Sequence, residues 1–171
     1  KVLQAFYAFS QSNNDDLRKG MNEFNLSINK TYDLYIYLIQ IFIPLKRCAN
    51  IKIEESKRSF LEKEDISFSK SFVDNQVIHQ IESSKLLEKV VNDSKISWVG
   101  DVENDLVKKL FKAIYNSESY QEILVAENKS FENQKLSIIK LFKEEICNYD
   151  LLHHFFDEKS IYWQDDLDHV S

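Results

Sequence analysis

Apolar residues recur along this chain at intervals of three and four, from the first positions onward. In KVLQAFYAFSQS, Lys1 to Ser12, Val2, Phe6 and Phe9 follow the spacing of a helix with one buried face, and Leu3 and Ala5 stand beside them. No Ser, Thr, Asp or Asn precedes them as a cap, so the pattern reads as a chain that starts inside a helix, with residues ahead of Lys1 missing. SNNDD, residues 12–16, then supplies capping side chains and two acids where a helix macrodipole favours them. A second helix is predicted from there, with Leu17, Met21, Phe24 and Ile28 as its buried stripe.

From Thr31 the apolar positions spread to nearly every side, the signature of a helix surrounded by others. Pro44 removes one helical hydrogen bond, yet KRCANIKIEESKRSFLEK continues with helix formers. The prediction is a long central helix bent at Pro44 and reaching about Leu61, with a break at Pro44 as the alternative. EKEDISFSKS, Glu62 to Ser71, is polar and Ser-rich and reads as a loop, dividing residues 1–61 from residues 62–171. Beyond it, FVDNQVIHQI and SKLLEKVVND predict two short helices. DVENDLVKKLFKAIYNS predicts a longer one with Val102, Leu106, Leu110 and Ile114 inward. SYQEILVAE, SFENQKLSIIKLFKEEIC and a last pair around LLHHFF and DDLDHV complete an all-α bundle of about eight or nine helices with antiparallel neighbours, packed as one domain or two closely associated ones.

Composition sharpens that reading. Only 2 Gly and 1 Pro occur in 171 residues, which leaves few means of building tight hairpins or phosphate-cradling loops. At 43% hydrophobic the chain can bury one sizeable core, or two small ones at most. Cys48 and Cys147, in separate segments, read as buried thiols of a cytoplasmic protein. The densest apolar run, Tyr32 to Leu45, contains Asp33, Gln40 and Pro44 and is too short to span a bilayer, so no membrane association is expected. A net charge of -6 argues against tight binding of a nucleic-acid backbone by these residues alone. In KRCANIKIEESKR, Glu54 and Glu55 interrupt the basic residues, and such alternation usually marks a solvated face, with an RNA-facing surface as the other reading.

Two short segments share Ile-x-Trp-x-x-Asp and a following aliphatic residue: ISWVGDV, Ile96 to Val102, and IYWQDDL, Ile161 to Leu167. The two Trp side chains could serve as base-stacking platforms. The preferred reading makes each a device for entering a helix, with the Trp anchoring the chain and the acids at the positive end of the dipole. The pairs Asp150/His153 and Asp166/His169 each lie on one helix face and are similar to the acid-x-x-His pairs of di-iron bundles, although those use Glu. No nucleophile motif has local support, and neither an enzyme nor a cofactor is expected.

The opening LQAFYAF, with Leu3, Gln4, Ala5 and Tyr7, resembles the first-helix signature of NusB, the bacterial transcription antitermination factor. There a hydrophobic-Gln-Ala-Leu-Tyr run follows an arginine-rich start. The acidic turn after it, the Tyr-rich helices and SIYWQDD are similar to a longer variety of that family with an inserted helical region. The resemblance implies an all-helical protein that binds boxA RNA together with the ribosomal protein NusE and acts indirectly on the RNA polymerase complex. It implies RNA contacts at Gln4 and Tyr7, and Lys1 beside them could reach a phosphate. The i, i+3 spacing places Gln4 and Tyr7 on one face, a polar tip beside an aromatic ring. The family's arginine-rich start and its C-terminal helical part are not recognisable within residues 1–171, so these residues alone are expected to bind boxA poorly. A helical protein-interaction scaffold and a metal-binding bundle are the alternatives.

Overall fold

The computed structural model describes residues 2–11, 16–58, 70–126, 130–163 and 166. Among the described residues every regular element is helical: α1 (Val2–Gln11), α2 (Leu17–Gln40), α3 (Phe42–Arg58), α4 (Gln76–Ser83), α5 (Lys85–Ser94), α6 (Asp101–Tyr115), α7 (Glu118–Val125), α8 (Phe131–Leu141) and α9 (Asp150–Lys159). A π-helical turn, Phe142–Ile146, prolongs α8, and residues 70–73 form a single helical turn ahead of α4. This is an all-α bundle.

Side-chain caps place most of the breaks. Asp16 accepts from the amides of Arg18 and Lys19 at 3.0 and 3.3 Å and starts α2. Asn75, Ser84, Ser117 and Ser130 cap α4, α5, α7 and α8 in the same way, each satisfying an amide that a helix N-terminus leaves without a partner. Ser84 also ends α4, its own amide donating to the carbonyl of Ile81, so one residue closes a helix and opens the next.

The second and third predicted helices prove to be one. α2 runs through Thr31 without interruption for 24 residues: no proline stands between Asp16 and Pro44, and the hydroxyls of Ser27 and Thr31 turn back to the carbonyls of Phe24 and Ser27 within the helix instead of capping a new one. Its end lies at Ile41, three residues before the proline. Pro44 has no N–H for the carbonyl four residues back, Gln40, and its ring crowds that carbonyl, so the helix yields there and resumes as α3 with Pro44 inside the first turn.

The core gathers the C-terminal half of α2, α3 and the later helices. Leu34, Leu38, Ile41 and Leu45 pack with Phe72, Ile78, Leu110, Ile114, Leu141, Ile146 and Phe156, all essentially without solvent exposure. α3 lies against α4 and α6, α7 against α6 and α8, and α4 against α8.

The predicted stripe of the second helix is not buried. Leu17 is 68% exposed, Met21 50% and Ile28 43%, and α2 has no buried residue before Leu34. The N-terminal half of α2 reaches past the core and is flanked by α1 and by Tyr162, Trp163 and Asp166. α1 takes the side of Gly20 and leaves Phe24 half-buried at the cavity they share, so Leu17, Met21 and Ile28 stay open. α1 itself buries no residue, and Val2, Leu3 and Phe6 face solvent. Val102 is likewise exposed, since the first turn of α6 lies at the edge of the core, whereas Leu106, Leu110 and Ile114 point inward as predicted. Cys147 is buried and Cys48 half-buried, and neither is in a disulfide.

Candidate nucleic-acid interface

The N-terminal hairpin α1–α2 holds the residues with the strongest claim to a binding role. α1 docks through Phe9, whose ring lies over Gly20 of α2. A Cβ built at Gly20 would come within 2.5 Å of the Phe9 ring, so the close approach of the two helices depends on the missing side chain. With Phe9 turned inward, Gln4 and Tyr7 fall on the outer surface. Both are exposed, Tyr7 to 66%, and they lie one turn apart on neighbouring strips of the helix. Lys1 lies outside the described residues.

Gln4 and Tyr7 have different surroundings. Gln4 lines a cavity of about 400 Å³ between α1 and α2, together with Phe9, Lys19, Glu23, Phe24 and Tyr162. Tyr7 stands outside it. The phenol of Tyr162 donates to Glu23 at 3.2 Å and so joins the distant segment after α9 to the hairpin. Partial burial, reinforced by the Glu23 carboxylate, pushes that phenol above its ordinary range. Lys19 and Glu23 do not figure in the sequence reading, and Tyr162 figures there only within IYWQDDL, with no binding role. The one local signal for the cavity is Gly20, an isolated glycine within a helical pattern.

Both tryptophans are core residues. Trp98 is 6% exposed and Trp163 5%, which removes them as stacking platforms. Their indole N–H groups donate to backbone carbonyls of α2: Trp98 to Tyr37 at 3.0 Å and Trp163 to Lys30 at 2.6 Å. The acceptors are seven residues apart, two turns along one helix, so the repeated segments dock on α2 in the same manner. Tyr37 meets both indoles edge to face. Trp98 anchors the chain as it enters α6, where Asp101 and Glu103 occupy the first turn. Asp166 instead accepts from the Thr31 hydroxyl at 2.9 Å, deep in the fold. The last predicted helix, around DDLDHV at residues 165–170, lies outside the described residues except for Asp166.

The remaining candidate chemistry has structural employment. His153 Nε2 lies 2.6 Å from the carbonyl of Cys147, and His169 lies outside the described residues. Among the described residues no group of three or more His, Cys, Asp or Glu side chains is arranged to hold a metal ion. In KRCANIKIEESKR, Lys46 is buried with its ammonium 2.6 Å from Glu82, a bond that holds the Glu82 carboxyl below the usual range. Lys57 pairs with Glu54. No helix among the described residues is long and apolar enough to cross a membrane.

Fold and surface together define the class, a helical bundle with an N-terminal hairpin that presents polar, aromatic and apolar side chains to solvent. Comparison with known proteins finds no matching family model, curated protein or solved structure.

Proposed function

We propose that this protein is a cytoplasmic, non-catalytic RNA-binding factor of the NusB type, acting with NusE on boxA RNA in transcription antitermination. The observation that carries the reading is the placement of Gln4 and Tyr7: a largely exposed phenol ring on the open side of α1 and, one turn away, an exposed amide at the rim of the α1–α2 cavity. That pairing suits an unpaired base, which stacks on an aromatic face and is read along its edge. Arg18 and Lys19, exposed at the start of α2, add positive charge beside the far end of α1.

The test is fluorescence anisotropy of labelled boxA RNA against residues 1–171, with and without NusE, at about 50 mM salt where phosphate contacts are strongest. Tyr7→Ala should weaken binding at least about fivefold, the lower end of what stacking one base contributes. The fold should be unaffected, because the side chain is exposed. Unchanged affinity in Tyr7→Ala, or no RNA bound with NusE present, refutes the reading.

One observation favours a second reading. Val2, Leu3 and Phe6 on α1 and Leu17, Met21 and Ile28 on α2 leave a large apolar surface exposed on the same hairpin, and such surfaces mark protein contacts more often than RNA contacts. A protein-interaction scaffold would bind a partner through these residues and show no RNA effect at Tyr7.

A further inference from the structure

We propose that the cavity between α1 and α2 is a pocket for one unstacked nucleobase of single-stranded RNA, with Lys19 holding an adjoining phosphate. This rests on the RNA-binding reading above and extends it to residues the resemblance does not assign. At about 400 Å³ the cavity falls in the range of small-ligand clefts. Its walls are the rings of Phe9, Phe24 and Tyr162, which suit a flat π-surface. Its polar groups suit the edge of a base: Gln4 offers a donor and an acceptor, and Glu23, positioned by its bond from Tyr162, offers a further acceptor to an exocyclic amine.

The pocket is built in. Gly20 lets the Phe9 ring come close to α2, and any side chain there would displace the ring. Tyr162 is brought to the rim by the docking of Trp163 and Asp166 on Lys30 and Thr31. Gln4 lines the cavity and Tyr7 stands outside it, so one base can enter the pocket while its neighbour stacks on Tyr7.

The probe is a series of boxA oligoribonucleotides, each carrying the fluorescent base 2-aminopurine at one position, titrated with residues 1–171 at about 50 mM salt. One position should be quenched more than all others through stacking on the cavity rings. Ala8→Trp, at an exposed position lining the cavity, fills it without touching Tyr7. It should abolish the position-specific quenching and weaken binding at least about fivefold. Lys19→Ala, also at an exposed position, should keep the quenching and lower the salt-dependence slope by about 0.7, one single-strand phosphate contact. Circular dichroism verifies that both variants fold. Quenching equal at all positions, or unchanged in Ala8→Trp while Tyr7→Ala still weakens binding, overturns the pocket and leaves the RNA reading standing. No RNA bound by the unsubstituted chain, with NusE added as well as without it, overturns both.

Discussion

Truncation of Trp98 tests the reading of the paired tryptophan segments most directly. The indole is 6% exposed, stacks on Phe155 with centroids 5.6 Å apart, and meets Tyr37 and Phe156 edge to face at 5.6 and 6.1 Å. Its N–H donates to the Tyr37 carbonyl at 3.0 Å. Trp98→Ala removes the whole ring and leaves a void between the end of α2 and α9, which should cost about 3–5 kcal/mol. For a chain of this length that corresponds to a fall of roughly 10 °C in Tm. Trp98→Phe keeps an aromatic ring but loses the hydrogen bond and part of the volume, for about 1–2 kcal/mol. Urea denaturation followed by circular dichroism, with the remaining Trp163 as a fluorescent reporter, measures both. Because the ring is inside, RNA affinity of folded Trp98→Phe should equal that of the unsubstituted chain. A cost below about 1 kcal/mol for Trp98→Ala, or a loss of RNA affinity in a fully stable Trp98→Phe, would refute the assignment of this residue to the core.

Gly20→Ala places a methyl group 2.5 Å from the Phe9 ring, so α1 should loosen from α2. Hydrogen exchange in α1 should accelerate about tenfold or more, while the urea midpoint stays nearly constant because α1 buries no residue. Unchanged exchange would show that Phe9 relaxes without cost. For pH, the hydrogen bond from Lys159 holds the Glu103 carboxyl below its ordinary value of 4.5. A carboxylate depressed in the folded state stabilises above its unfolded pKa, and that contribution is lost as pH falls through the folded one. Stability should therefore decline as pH drops below about 4.5, and Glu103→Gln should flatten that part of the curve while lowering stability at neutral pH. Identical acid profiles for the two proteins would remove Glu103 from the account.

Much of the fold is legible along the chain, though unevenly. The caps at Asp16, Ser84, Ser117 and Ser130 and the sparse Gly and Pro are local signals, and local signals decide where helices start and stop. The change in hydrophobic patterning near Thr31 is a different kind of signal and marks no helix boundary. It records the point where α2 leaves the α1 hairpin and enters the core. At the candidate interface, the shared face of Gln4 and Tyr7 follows from spacing alone. Lys19, Glu23 and Tyr162 do not, since Tyr162 reaches the hairpin from more than a hundred residues away and no periodicity encodes that meeting.

By itself the sequence determined that the chain is helical, roughly how many helices it forms, and that Ile96–Val102 and Ile161–Leu167 are related segments, because backbone propensity, capping and side-chain pattern act over a few residues. Only the tertiary structure decided which apolar stripes are covered. Leu17, Met21, Phe24 and Ile28 carry the same spacing as Leu34, Leu38, Ile41 and Leu45, yet in the first set only Phe24 is even half-buried, whereas the second lies in the core. Helical spacing says that a face is apolar, and burial depends on whether another element arrives to cover it. The same holds for the tryptophans: their recurrence is written in the chain, but the matched carbonyls of Lys30 and Tyr37, two turns apart on α2, exist as docking points only once that helix is surrounded.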